Sequence, residues 1–166
     1  MKFKTWKTIE IGTGINTKDD FTKALMYKYR KGTEHWCQYL PADYVIEVSS
    51  TKREVDLIAV DSHFELGLTD DTATITNIYK KALDLGLKLC PAEVGPQLRL
   101  QYIDQPSFGH YDSQWRTIAM EPIISSRGKL TVFRVGHVNG FYYLDTEEFI
   151  PNQKLFNRNW IFLCNE

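Results

Sequence analysis

A chain of 166 residues with 43% hydrophobic and 25% charged residues has the make-up of an ordinary globular protein and is long enough to bury a core unaided. Its formal net charge of −1 and pI near 6.4 supply no global field toward nucleic acid or an anionic membrane, so both are poor candidates as partners. No apolar run approaches the ~20 residues that a membrane helix needs.

Cys37, Cys90 and Cys164 are widely spaced. Without a CxxC pair they suggest neither a zinc ribbon nor a disulfide framework, and no motif implies a metal or a cofactor. The chain opens without a positively charged apolar leader, which reads as a reduced cytoplasmic protein. Neither a repeat nor a linker divides it, so residues 1–166 are expected to form a single domain.

The opening FKTWKTIEIGTG mixes β-formers with lysines and runs into Gly12 and Gly14: a strand and a turn. Thr17, with Asp20 three residues on, caps a helix whose apolar stripe is Phe21, Ala24, Leu25 and Tyr29. A second helical stretch is expected from Thr33 to Leu40, ended by Pro41. The run Val55 to Val60 reads as a buried strand. The clearest helix follows, capped by Thr72 or Thr74. Ile75, Ile78, Tyr79, Ala82 and Leu85 lie on one face, and Gly86 closes it.

The C-terminal half reads as strands. Thr117 to Met120 and Leu130 to Val135 flank a turn at Ser126 to Gly128, and Trp160 to Cys164 makes a last strand. Asn139-Gly140 before Phe141 to Leu144 signals a type I′ hairpin. The pattern predicts an α+β domain: an antiparallel-dominated sheet with two or three helices packed on one face.

The densest stretch is LCPAEVGPQLRLQY, residues 89–102. Pro91 suits the start of a short turn, with Glu93 near its N-terminus and Gly95-Pro96 at its end. Gln97 to Tyr102 then alternates as a strand would. Leu98, Leu100 and Tyr102 go to one face, Gln97, Arg99 and Gln101 to the other. Two amides beside a guanidinium suit a carboxylate, phosphate, sugar or peptide backbone. The plainer alternative is a solvated sheet face with Arg99 paired to a carboxylate such as Glu121.

The following loop, DQPSFGHYDSQW, carries Asp104, His110, Asp112 and Trp115. His110 and Asp112 are candidates for acid–base chemistry, because histidine titrates near neutrality and a carboxylate can orient it. Cys90, ahead of a helical turn, is a candidate nucleophile, with an inert buried thiol as the alternative.

Other patterns fail. His63-Phe64-Glu65 with Cys90-Pro91 has the wrong order for a zinc deaminase and lacks its second cysteine. Gly12-Thr13-Gly14 lacks the third glycine and the lysine of a phosphate cradle. His35 and Cys37, two apart in an expected helix, do not share a face.

The string LGLKLCPAEVGPQLRLQY, then DQP, then WRTIAMEPI, resembles the core of a family of small uncharacterised bacterial proteins. The resemblance spans roughly residues 54–123. It implies a bacterial or bacteriophage source and a cytoplasmic home, and it carries no established activity. It groups Glu93, Gln97, Arg99, Gln101 and Glu121 in one local structure. The insert SFGHYDSQ is longer than the family pattern, which therefore does not extend to His110 and Asp112.

The reading that follows is a binding module for a small polar ligand or a partner protein. Gln97, Arg99, Gln101, Trp115 and Glu121 would form the site with the 104–115 loop. A hydrolase is the alternative, with Glu93 or His110 as general base, Asp112 orienting and Arg99 stabilising negative charge. An immunity-type or anti-host interaction protein, with a flat aromatic-rimmed patch, is the third.

Overall fold

A computed structural model describes residues 3–30, 46–107, 115–125 and 127–164. The helix expected over 33–40, with His35 and Cys37, and the loop residues His110 and Asp112 lie outside them. In chain order the elements are β1 (Lys7–Ile11), α1 (Lys18–Arg30), β2 (Arg53–Asp61), α2 (Ile75–Asp84), α3 (Val94–Gln101), β3 (Arg116–Ile118), β4 (Ile123–Ile124), β5 (Leu130–Val138), β6 (Phe141–Glu148) and β7 (Asn159–Leu163).

Local chemistry places most of them. Thr17 Oγ1 accepts the Asp20 N–H at 3.1 Å and donates to the Asp20 carboxylate at 2.7 Å, capping α1. Thr74 accepts the Asn77 N–H at 3.2 Å at the start of α2, and Gly86, at φ 86°, takes the left-handed position beyond its end. Asn139 and Gly140, at φ 51° and 79°, form the expected turn between β5 and β6.

The seven strands among the described residues join one sheet in the order β1-β2-β7-β3-β5, with β4 and β6 also paired to β5. The sheet is mixed rather than purely antiparallel, because β7 lies between β2 and β3 and runs parallel to β3. Helix α3 touches β1 near one end of this order and β5 and β6 near the other. The sheet therefore curls around α3, which is buried from Val94 to Leu100.

The helices do not share one face. Alternate residues of a strand point to opposite sides. Val55 and Leu57 of β2, with Ile161 of β7, pack with α1 and α3; Ile58 and Val60, with Trp160 and Phe162, pack with α2. The apolar runs of β2 and β7 are thus strands covered on both faces, which two-sided burial requires.

Candidate functional site

The segment Gln97–Tyr102 is not a strand. Val94–Gln101 forms α3, with Gly95 and Pro96 in its first turn rather than at the end of a preceding one. Proline is tolerated there because a first-turn N–H has no partner within the helix. Six alternating residues also fit a helical repeat, since Glu93, Gln97 and Gln101 are four apart while Leu98 and Tyr102 repeat likewise. The change of period divides the expected polar face: the two glutamines align with Glu93, and Arg99 points elsewhere.

The amide side grips the edge of the sheet. Gln101 Oε1 accepts the Glu10 N–H at 2.9 Å, and its Nε2 donates to the Glu10 carbonyl at 2.8 Å. One side chain thereby supplies what a neighbouring strand would give, and shields this stretch of β1 from edge pairing. Gln101 Nε2 also donates to Gln97 Oε1 at 3.2 Å, while Gln97 Nε2 donates to Thr13 Oγ1 at 2.7 Å and Glu93 Oε1 at 3.2 Å. Glu93, fully buried, accepts the N–H groups of Gly12 at 2.7 Å and Ser49 at 2.8 Å. A Cβ on Gly12 would stand 2.2 Å from the Thr51 carbonyl oxygen, so glycine is needed for this approach. Glu93 thus pins two chain segments, Gly12 and Ser49, to the start of α3.

The Arg99 side is closed. With 0% exposure, Arg99 donates from Nε to Tyr29 Oη at 3.1 Å, and from Nη1 to Gln105 Oε1 at 2.7 Å and the Gly136 carbonyl at 3.1 Å. Its Nη2 donates to the Tyr102 carbonyl. The Tyr142 ring lies 4.7 Å from the guanidinium and stacks on His137, whose Nδ1 is 2.5 Å from the Gln105 carbonyl oxygen. Neutral acceptors and aromatic faces therefore hold the charge, and among the described residues no carboxylate touches it. The pairing with Glu121 does not form: Glu121 is exposed.

Trp115 stands on the other side of β5 from α3. Its ring covers Gly136, where a Cβ would be 2.8 Å away, and the Arg134 guanidinium sits 4.4 Å from it. Arg134 and Gly136 alternate along β5 with Phe133, whose side chain meets α3 at Gly95. Among the described residues, the expected ones therefore fall in separate places: Gln97 and Gln101 beside Glu93, Arg99 on the other side of α3, Trp115 across β5, and Glu121 at the surface. Cys90 is buried and donates weakly to the Ile161 carbonyl at 3.6 Å; burial pushes its thiol pKa up, the opposite of an activated nucleophile.

Two features emerge only in three dimensions. Ser62 Oγ, His63 and Asp70 form a hydrogen-bonded chain, with Oγ 3.2 Å from Nδ1 and Nε2 2.9 Å from the carboxylate. Hydrogen bonds from His63 and Arg158 hold the Asp70 carboxyl below its ordinary pKa. Ser62 is fully buried, so its hydroxyl has no route to a substrate. The second feature is a groove of about 560 Å³ between α1, α3 and the end of β1. Ile15, Ala24, Tyr27 and Leu100 give it apolar walls beside Gln97 and Gln101. Its walls come from segments far apart in the chain. The only sequence signal for it was the polarity of the two glutamines.

Among the described residues no three His, Cys, Asp or Glu side chains are grouped to hold a metal ion, and no helix is long and apolar enough to cross a membrane. Compared with known proteins, the chain matches no family model, no curated protein and no solved structure.

Proposed function

We propose that the chain is a binding module that receives a segment of a partner protein in the groove between α1, α3 and β1. One observation carries this reading: both Nε2 donors of Gln97 and both of Gln101 are already committed within the protein. A small polar ligand that needs amide donors is poorly served. What the wall still offers is apolar surface and the remaining acceptor capacity of the amide oxygens, which suits an apolar anchor side chain flanked by peptide N–H groups. The hydrolase reading has less support, since Glu93 is bound on three sides and Arg99 is sealed on the opposite side of α3.

Peptides selected from a random library on the folded protein test this. Ala24→Arg places a long charged side chain in the groove and should weaken those peptides roughly tenfold or more, a loss typical of an interface anchor. Phe64→Ser, distant from the groove, should leave their affinity unchanged. Equal binding to the wild type and Ala24→Arg would remove the groove as the site.

A further inference from the structure

The groove between α1 and α3 has two unlike walls. From α3 come Gln97, Leu100 and Gln101, none of them charged. From α1 come Ala24, Tyr27 and Lys28, which share one face of the helix. Glu10 and Lys28 bring opposite charges to the lining, and they are not equivalent. The Glu10 carboxylate lies 2.9 Å from Lys52 Nζ, so its charge is matched within the protein. Lys28 is exposed, and among the described residues no hydrogen bond or ion pair holds it.

Nor does the sequence around it supply a counter-charge. Both acids of α1, Asp19 and Asp20, stand in its first turn, and residues 21–30 contain none. Glu93, ahead of α3, is buried and spent on the N–H groups of Gly12 and Ser49. An unmatched cation at the rim of an apolar cavity complements a carboxylate on whatever fills that cavity.

We infer, resting on the groove as the binding site, that the segment it receives is acidic. An apolar anchor enters beside Ala24 and Leu100, and an aspartate or glutamate near it in sequence pairs with Lys28. Lys28 follows Ala24 by four residues, about 6 Å along the helix axis. An extended peptide covers that distance in about two residues, which sets the place of the acid relative to the anchor. A solvent-exposed pair of this kind adds little affinity. Its effect is on the choice among partners, because a basic segment would meet Lys28 with like charge.

Displayed peptides with one fixed leucine between randomised positions, selected on the folded protein, test this. The wild type should enrich Asp and Glu within about two positions of the leucine, and Lys28→Glu should enrich Lys and Arg there instead. The tightest acidic peptide should bind Lys28→Glu roughly fivefold more weakly than the wild type, with a smaller difference at high salt. The same peptide with its acid changed to glutamine should bind both proteins alike, which also shows that the variant is folded. Lys81→Glu makes the same change of net charge at an exposed position of α2, across the sheet, and should leave the affinity of the acidic peptide unchanged. Peptides that depend on Ala24 yet show no acidic preference would overturn the acidic partner and leave the groove standing. Equal losses in Lys28→Glu and Lys81→Glu would do the same. Peptides indifferent to Ala24→Arg would remove the groove, and this partner with it.

Discussion

The two sides of α3 carry polar groups within the same two turns, yet they belong to different environments. On one side Glu93, Gln97 and Gln101 stitch the helix to β1 and Gly12, and the two glutamines also border an open groove. On the other, Arg99 is enclosed by Tyr29, Tyr102, Gln105 and Gly136. The difference teaches that a polar side chain in a short helix is not a sign of exposure. Both sides pair their polar atoms with the protein itself, as burial demands. Among the described residues, only the amide side also borders a concave surface.

The largest effect that would break this comparison is at Arg99. Arg99→Ala should lower unfolding free energy by about 3–5 kcal/mol, because it strips the donors from several buried acceptors at once. Urea denaturation reads the change directly. A loss within about 0.5 kcal/mol, the range of ordinary surface substitutions, would remove Arg99 from the scaffold.

A smaller effect belongs to the amide side. Gln101→Ala leaves both backbone groups of Glu10 without their partner and should cost about 1–2 kcal/mol. Amide hydrogen exchange at Glu10 should speed up more than at Ile9, whose neighbour is β2. Uniform acceleration along β1 would mean that Gln101 supports the fold generally rather than this edge.

The smallest effect lies outside α3 and serves as a reference. Asp70, whose carboxyl is held below its ordinary pKa of 3.8 by His63 and Arg158, contributes stability above that value, and the contribution fades as the pH falls through the lowered one. Because the carboxylate is exposed, the slope should be shallow, and Asp70→Asn should flatten it further. Identical acid profiles for the two proteins would deny Asp70 any such linkage.

Much of this fold was legible because its signals are local. The α2 helix is marked by the Thr74 cap, its apolar stripe and Gly86, and the β5–β6 hairpin by Asn139-Gly140; each is settled by dihedral preference within a few residues. The α3 helix was misread as a strand because its alternation satisfies both periods, and only contacts with β1 and β5 decide between them. The placement of α2 on the opposite face was legible in principle. The unbroken apolar runs of β2 and β7 require cover on both sides. The groove was not legible, since Ile15 and Ala24 meet Leu100 only after the sheet has curled around α3.

The most direct measurement is hydrogen exchange at the Arg99 Nε–H, followed by side-chain nitrogen NMR. Enclosure among Tyr29, Tyr102, Gln105 and Gly136 predicts exchange only through global unfolding, far slower than at exposed Arg53. Exchange of Arg99 at the rate of Arg53 would contradict the account, opening the guanidinium to solvent and returning it to the candidate site.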